Sequence, residues 1–384
     1  MSKLKVAALQ GLSASSDAIT LANDGTCTAN ITNNLSNRNL VINGGMNVNQ
    51  YGSSSSTSTG RKIFDRWNPN WNNGTITQSK ETLTSGGAYD AGHRSCLRLT
   101  NTSAAGSAAG TYVEVYYKVE AQDLAKSGWN YKSASSYITL SFWLRSSVAQ
   151  TYSCTISTRD GTKYLHPFTA VISSANTWTK ITKTFAGNSN LQIDDDNGDG
   201  LMMWVNPMQG SDFHNNSWNT DGWFAQSGSS MFAGTTDTTW GTTAGATWDI
   251  TGFQLEVGDH ATDFEHRSYA QELALCERYC QIIAEGTNNY FATSFVYTST
   301  LTIGTFTYKT TMRTTPSLVQ TTGTNYYFHA QAGTIYYLTG FTALSHEGAR
   351  SSGLYTNTTV GTAGQAGGFS TVNSAAQIRL EAEI

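Results

Sequence analysis

The chain has 384 residues, and because 39% of them are hydrophobic and 11% aromatic it can bury a substantial core. Only 13% are Asp, Glu, Lys or Arg, against about 25% in an average soluble protein, so Ser, Thr, Asn and Gln must supply most of the polar surface. A net charge of -4 argues against nucleic-acid binding, which needs a concentrated basic face. No run of about 18 apolar residues is present, so we expect no membrane insertion.

Residues 1–38 contain few apolar side chains, separated by Ser, Asn, Asp, Gly and Thr. A segment of this size and composition cannot build a core of its own. We therefore predict an extended N-terminal arm that attaches the protein to a partner or joins copies of the chain. The first six residues lack the apolar stretch of a signal peptide, and five scattered cysteines favour free thiols, so synthesis in a cytosol is expected.

Residues 39–268 contain alternating apolar and polar stretches typical of half-buried strands, for example at 137–144 and 178–185. Asp-Gly steps such as Asp221-Gly222 favour turns between them. All ten tryptophans lie between Trp67 and Trp248, which indicates one aromatic core. Evenly spaced strands over this length predict a jelly-roll β-sandwich.

A helix is predicted over residues 269–285, because Ser268 can cap its start, Gly286 can end it, and apolar side chains between them recur every three or four residues. Alternating strands return after it, without tryptophan. Residues 286–384 are therefore predicted to form a smaller C-terminal β domain. The expected fold is all-β: a jelly-roll body, one linking helix, a C-terminal β domain at the tip, and the extended N-terminal arm.

Three segments resemble a β-sandwich module of bacteriophage tail-fibre and minor structural proteins. The first is residues 39–46 followed by Phe64-Asp65-Arg66-Trp67, the second is residues 139–146, and the third is residues 250–258 with 261–267. The segment Leu275-Cys276-Glu277-Arg278-Tyr279 follows the third in the same family. Asp263 departs from the family, which usually has Pro there. The resemblance covers about residues 39–285.

This resemblance implies a virion component of a phage of marine or cyanobacterial type, with a fold similar to carbohydrate-binding jelly rolls. Fibres of this kind are usually homotrimers, made in the host cytoplasm. The leading hypothesis is a tail-fibre protein that is held by other virion proteins through residues 1–38 and adheres to a host-surface glycan. The alternative is a head-decorating or capsid-fibre structural protein without receptor binding.

One acidic loop has the spacing of a calcium site. Asp195-x-Asn197-x-Asp199-Gly200 matches the first half of a calcium loop, in which alternate oxygen atoms converge on a hard cation. The second half fails, because the twelfth position is Asn206 and not Glu. A structural calcium ion and a plain turn before the next strand are both open; no other cofactor is expected.

Two aromatic groups lie in polar surroundings that suit sugar recognition, in which a flat ring stacks on the pyranose while nearby polar groups bind its hydroxyls. The glycan-binding candidates are Trp218, Asn219, Asp221, Trp223, Tyr326 and Tyr327. Core packing is the alternative, because tryptophan is mostly buried in β-sandwiches.

The sequence contains no Gly-x-Ser-x-Gly, phosphate-binding loop or dinucleotide fingerprint. Glu256 and Glu265 could form the acid–base pair of a glycosidase, but the simpler interpretation is that Glu256 faces outward or pairs with Arg267. A polysaccharide depolymerase, the second alternative, would be expected to show a repetitive β-helix, and no fixed period is present. We therefore expect no enzymatic activity.

Overall fold

The computed structural model describes residues 6–10, 19–21, 23, 27–29, 37–234, 237–345, 348–356 and 361–384. These residues confirm the all-β prediction, with sheets that are almost entirely antiparallel. Within this part of the chain, no helix has the length and apolar character needed to cross a membrane.

The described pieces of the predicted arm form a small antiparallel sheet of β1 (Ala8–Leu9), β2 (Ile19–Leu21) and β3 (Cys27–Ala29). Most of residues 1–36 lies outside the described residues, so the attachment role stays a prediction. Arg38 donates to the Thr262 hydroxyl at 2.8 Å and lies 3.5 Å from a Glu256 oxygen, so the chain is fixed to the jelly-roll from this point.

The jelly-roll consists of two six-stranded sheets and one short pair of parallel strands, His214–Asn215 with Phe232–Ala233, joined by short connections that include α1 (Gly87–Asp90), α2 (Ala121–Ala125) and α3 (Thr239–Thr242). In chain order its strands are β4 (Ser55–Ser56), β5 (Asn68–Trp71), β6 (Thr75–Thr82), β7 (Ser95–Ser103), β8 (Tyr112–Glu120), β9 (Tyr137–Ser146), β10 (Thr151–Thr158), β11 (Tyr164–Val171), β12 (Thr179–Ala186), β13 (Asp199–Gln209), β14 (His214–Asn215), β15 (Phe224–Ala225), β16 (Phe232–Ala233) and β17 (Thr247–Val257).

Sheet A has the strand order β15-β11-β10-β13-β8-β5, and sheet B has the order β12-β9-β17-β7-β6-β4. Neighbouring strands that are distant in the chain, such as β17 and β9, mean that the chain crosses repeatedly between the sheets, as in a jelly roll. The core lies between the sheets, where Leu140, Phe142 and Leu144 of β9 are buried as their alternation predicts. Phe142 stacks on Phe253 of β17, with ring centres 4.5 Å apart.

The predicted helix over residues 269–285 is correct at its start and wrong beyond Cys276. Helix α4 (Tyr269–Cys276) begins with a capping box between Ser268 and Gln271. The chain then forms strand β18 (Cys280–Glu285), which pairs with the last strand, β27 (Gln377–Glu381). The β-branched Ile282 and Ile283 suit a strand, and the ladder to β27 supplies the backbone hydrogen bonds that a longer helix would have made.

The C-terminal domain therefore begins at β18, not at residue 286. Its further strands are β19 (Tyr290–Thr298), β20 (Leu301–Thr307), β21 (Ser317–Gln320), β22 (Tyr327–Gln331), β23 (Thr334–Leu338), β24 (Ala343–Ser345), β25 (Ser351–Thr356) and β26 (Ala366–Thr371). A three-stranded sheet, β18-β27-β21, packs against a seven-stranded sheet, β23-β22-β26-β19-β20-β25-β24.

A buried seam joins this domain to the jelly-roll. The guanidinium of Arg66 lies 3.6 Å from the ring centre of Tyr279 and forms an ion pair with Glu383. The carboxylate of Asp65 accepts hydrogen bonds from the backbone and side-chain nitrogens of Gln50 at 2.7 and 2.6 Å. Burial raises the pKa of Asp65 to about 6, although these hydrogen bonds lower it. Arg66 thus connects the two domains directly, and Asp65 holds Gln50, whose side-chain nitrogen also donates to the Cys280 carbonyl at 2.6 Å.

Candidate functional site

A groove of about 420 Å³ crosses the outward face of sheet A over β5, β8 and β13. The alternation along β8 sends its valines into the core and leaves Tyr112, Glu114, Tyr116 and Lys118 in the groove. This size is within the range of about 300–1,000 Å³ of small-molecule sites.

The floor of the groove is aromatic and sulfur-rich. Trp204 of β13 is the direct cross-strand neighbour of Tyr116, and Met202 lies two residues before it on the same face. The segment that follows β13 adds Phe213, whose ring meets Tyr112 edge-on with ring centres 5.8 Å apart. Trp204 and Met202 are themselves buried, so the partly exposed rings of Tyr112, Tyr116 and Phe213 are the ones that can stack on the apolar face of a flat or cyclic ligand.

Charged groups line one end of the groove. Asp199 pairs with Lys118 and with Arg159, each at 3.1 Å, and the Arg159 guanidinium lies 5.8 Å from the ring centre of Trp204. Burial raises the pKa of Asp199, but the two cations outweigh it and hold this pKa below its usual range. The mutual pairing fixes the positions of two cationic donors beside the aromatic floor.

Glu114 is the ionisable group in the middle of the β8 row. Its carboxylate accepts a hydrogen bond from the Asn70 side chain at 3.1 Å. Burial raises the pKa of Glu114 to about 7, more than this hydrogen bond lowers it. Glu114 and Asn70, with Gln209 nearby, supply donors and acceptors of the kind that bind hydroxyl groups.

The predicted glycan residues of the loop after β14 do not line this groove. Trp218 is half-buried and stacks on Phe224, with ring centres 5.2 Å apart. The side-chain oxygen of Asn219 accepts from the backbone nitrogen of Asp221 at 2.9 Å, and Asp221 pairs with Lys183 at 3.1 Å. The hydrogen bond that Lys183 donates to Asp221, together with the charge of Lys183, lowers the pKa of Asp221. These contacts form a turn and leave Trp218 partly accessible.

The other three aromatic candidates are packed to different degrees. Trp223 is half-buried against the jelly-roll core and donates its indole N–H to the Ala186 carbonyl at 2.8 Å. Tyr326 packs partly against the C-terminal core. The prediction that Tyr327 contacts a glycan is wrong, because its side chain is fully buried and its hydroxyl lies 2.7 Å from the Thr321 carbonyl oxygen.

The predicted calcium ligands have separate protein partners. Asp195 pairs with Lys126 at 2.6 Å, Asp199 pairs with the groove cations described above, and the Asn197 side-chain nitrogen donates to the Arg313 carbonyl at 2.7 Å. Among the described residues, no group of three or more His, Cys, Asp or Glu side chains could hold a metal ion. The loop as arranged does not suit calcium, because its side chains do not converge and cations already neutralise its carboxylates.

Glu256 and Glu265 hold the end of the jelly-roll together. Glu256 is buried and accepts from the backbone nitrogen and hydroxyl of Thr262 at 2.8 and 2.6 Å. Glu265 accepts from the backbone nitrogen of Asn39 at 2.8 Å and pairs with Arg267 at 3.3 Å. The pairing predicted between Glu256 and Arg267 is thus replaced by one between Glu265 and Arg267.

The groove was not predicted from the sequence, although one signal for it was present. The alternation of apolar and polar residues along β8 is visible in the sequence, and it places Tyr112, Glu114 and Tyr116 together on one face of the strand. An outward row that contains two tyrosines and a carboxylate is more informative than tryptophans in a loop. Alternation did not predict that Phe213 and Met231, from the segment after β13, would extend that row into a groove.

No protein-family model matches this chain, and no curated protein matches it. The enzymatically active domain of bacteriophage CBA120 tailspike protein 4 is similar with a TM-score of 0.32 and 10% identity, over 57% of this chain and 21% of that one. TmCBM61 in complex with β-1,4-galactotriose has a TM-score of 0.26 and 10% identity, over 57% and 97% of the two chains. The family 11 carbohydrate-binding module of a Clostridium thermocellum cellulase has a TM-score of 0.25 and 12% identity, over 56% and 98%. Likeness at this level transfers no function, and the jelly-roll assignment rests on the order of the strands.

Proposed function

We propose that this protein is a phage virion fibre protein that binds a host-surface glycan through the groove on sheet A. The observation that carries the proposal is the row Tyr112, Glu114, Tyr116 beside Trp204, because it combines a stacking surface with fixed hydrogen-bonding groups. A pyranose needs both, since its ring face is apolar and its edge carries hydroxyls. The phage assignment is supported by the resemblance of residues 39–46, 64–67, 139–146 and 250–267 described above.

The glycan proposal is tested by screening the full chain against an array of bacterial surface oligosaccharides, followed by calorimetry with the strongest ligand. Tyr116→Ala is expected to weaken binding about fivefold or more, because the loss of an aromatic contact in a binding site typically costs at least about 1 kcal/mol. Tyr137→Ala is the matched control, because Tyr137 is an exposed tyrosine on sheet B, outside the groove. Equal losses in the two variants, or no ligand on the array, would remove the groove as a glycan site.

The proposal includes assembly and location. Residues 1–38 attach the protein to other virion proteins, the fibre is a homotrimer, and the chain is made in the host cytoplasm and resides in the virion. Multivalency in such a fibre would multiply weak single-site affinity. Cryo-electron microscopy of the virion tests this location: density for the protein on the tail supports a tail fibre, and density on the head alone would favour a head-decorating structural protein.

The groove binds without cleaving its ligand in this proposal. Incubation of host polysaccharide with the protein is expected to release no reducing ends over the level of a heat-denatured control. Release above that level, abolished by Glu114→Gln, would favour a depolymerase with Glu114 as its acid.

A further inference from the structure

The seven-stranded sheet of the C-terminal domain has an uncharged outward face. None of its seven strands contains Asp, Glu, Lys or Arg, although these make up 13% of the chain. Five large apolar side chains on the outward side are between 41% and 63% exposed: Tyr290, Phe295, Tyr297, Ile335 and Tyr337. We call this surface the aromatic face. Contiguous exposed apolar patches of this kind mark interaction sites in soluble proteins.

The aromatic face has a ridge on one side and a hollow on the other. The ridge consists of Ile335 and Tyr337 of the edge strand β23. Tyr290, whose ring meets Phe328 edge-on at 5.5 Å, lies on β19, a strand that borders the hollow. The hollow, of about 500 Å³, lies over β19, β20 and β25 and is bounded by Phe295 and by Thr and Ser side chains. Four strand spacings separate β23 from β20, which corresponds to about 19 Å.

We propose that copies of this chain associate through the aromatic face, with the ridge of one copy in the hollow of another. A rotation that carries each copy onto the next brings its ridge to the hollow of its neighbour, and repeated contacts of this kind close a ring such as the homotrimer proposed above. Because the strands carry no charge, two copies of the face do not repel each other. The proposal is independent of glycan binding in the groove.

The size of the face also fits a second copy. Six spacings between seven strands of about six residues give a projected area of roughly 600 Å². A standard protein interface buries about 800 Å² of accessible surface on each partner, so most of the face would be covered.

A glycan fits this face less well than the groove on sheet A. The outward strand positions offer Tyr, Thr and Ser hydroxyls but no amide, carboxylate or cation to fix the sugar.

The test is light scattering on the full 41.5 kDa chain after size-exclusion chromatography, between about 1 and 100 µM. The wild type is expected to run as an oligomer. Phe295→Asp and Tyr337→Asp, one in the hollow and one on the ridge, should each weaken self-association at least 100-fold, because each buries a carboxylate in an apolar contact. Val171→Asp is the matched control, because Val171 is a half-exposed apolar strand residue of the jelly-roll. Unchanged circular dichroism and melting temperature confirm that the variants fold.

A cross-rescue experiment tests the ridge-to-hollow arrangement. Phe295→Lys and Tyr337→Asp should each be weakly associating alone and should associate with each other when mixed, because the new lysine and aspartate meet where the ridge of one variant lies in the hollow of the other. A monomeric wild type at 100 µM, an unchanged association constant in both aspartate variants, or failure of the mixed pair to associate would overturn the proposal. If the wild type is monomeric and Phe295→Asp or Tyr337→Asp abolishes its sugar binding, the aromatic face is a ligand platform instead.

Discussion

The guanidinium of Arg66 in the jelly-roll pairs with the carboxylate of Glu383 in the C-terminal domain, and the two side chains are only 1% and 7% exposed. Arg61 lies 3.5 Å from the same carboxylate, so two cations share Glu383 as their partner at the seam. Removing one partner of a buried pair leaves an uncompensated charge, which is strongly destabilising. The two domains are therefore expected to unfold together, with this pair at their junction.

Glu383→Gln should lower the free energy of unfolding at pH 7 by about 3–5 kcal/mol, because Arg66 stays buried without its counter-charge. The measurement is urea denaturation followed by tryptophan fluorescence, whose signal comes from the jelly-roll. Asp221→Asn is the control: it removes the exposed partner of Lys183 and should change stability by less than about 1 kcal/mol.

The Glu383 effect should depend on pH with a definite sign. Burial alone would raise the pKa of Glu383, but Arg66 and Arg61 outweigh it and hold this pKa below its usual range. The ionised carboxylate therefore stabilises the fold above the ordinary glutamate pKa, and this contribution is lost as the pH falls through the lowered value. The difference between wild type and Glu383→Gln should shrink in acid. A difference of the same size at pH 7 and pH 3 would contradict this.

Glu114 should have the opposite pH dependence. Because burial raises its pKa to about 7 in the folded protein, the folded state prefers the neutral acid. This preference stabilises the fold fully below the ordinary glutamate pKa and is lost as the pH rises to about 7 and beyond. Glu114→Gln, which is neutral at every pH, should melt a few degrees above the wild type at pH 8 and at the same temperature near pH 4.5. Differential scanning calorimetry at the two pH values checks this; a variant that melts lower at pH 8 would contradict the raised pKa.

Calcium should have no effect on stability. Lys126 and the pair Lys118 and Arg159 already neutralise Asp195 and Asp199, so a calcium ion would have to displace existing ion pairs. Addition of millimolar calcium or EDTA should leave the melting temperature unchanged to within about one degree. A rise of several degrees with calcium, absent in Asp195→Asn, would restore the calcium loop that the spacing of Asp195, Asn197 and Asp199 suggested.

The sheets were predictable from the sequence because their alternation is local, whereas the segment after Cys276 was not. Its helical spacing is real, but β18 pairs with β27 almost 100 residues later, and no local pattern records that partner. The groove has the same difficulty, since Tyr112, Trp204 and Phe213 come from separate segments. In the C-terminal domain, alternation predicts that Tyr326 and Tyr327 face opposite sides of their strand, and likewise Tyr336 and Tyr337. It does not predict which side is outward. Tyr337 proves exposed and Tyr327 buried.

Tyr327 and Tyr112 should separate stability from binding. Tyr327→Phe removes a hydroxyl that lies 2.7 and 2.9 Å from the carbonyl oxygens of Thr321 and Gln377, and it should cost about 1–2 kcal/mol of unfolding free energy. It should leave glycan affinity unchanged, because the ring is buried away from the groove. Tyr112→Ala should instead reduce affinity and change stability little, since its partly exposed ring lies in the groove. Calorimetric titration and urea denaturation of both variants check this. Weaker glycan binding in Tyr327→Phe than in Tyr112→Ala would move the glycan site from sheet A to the C-terminal domain.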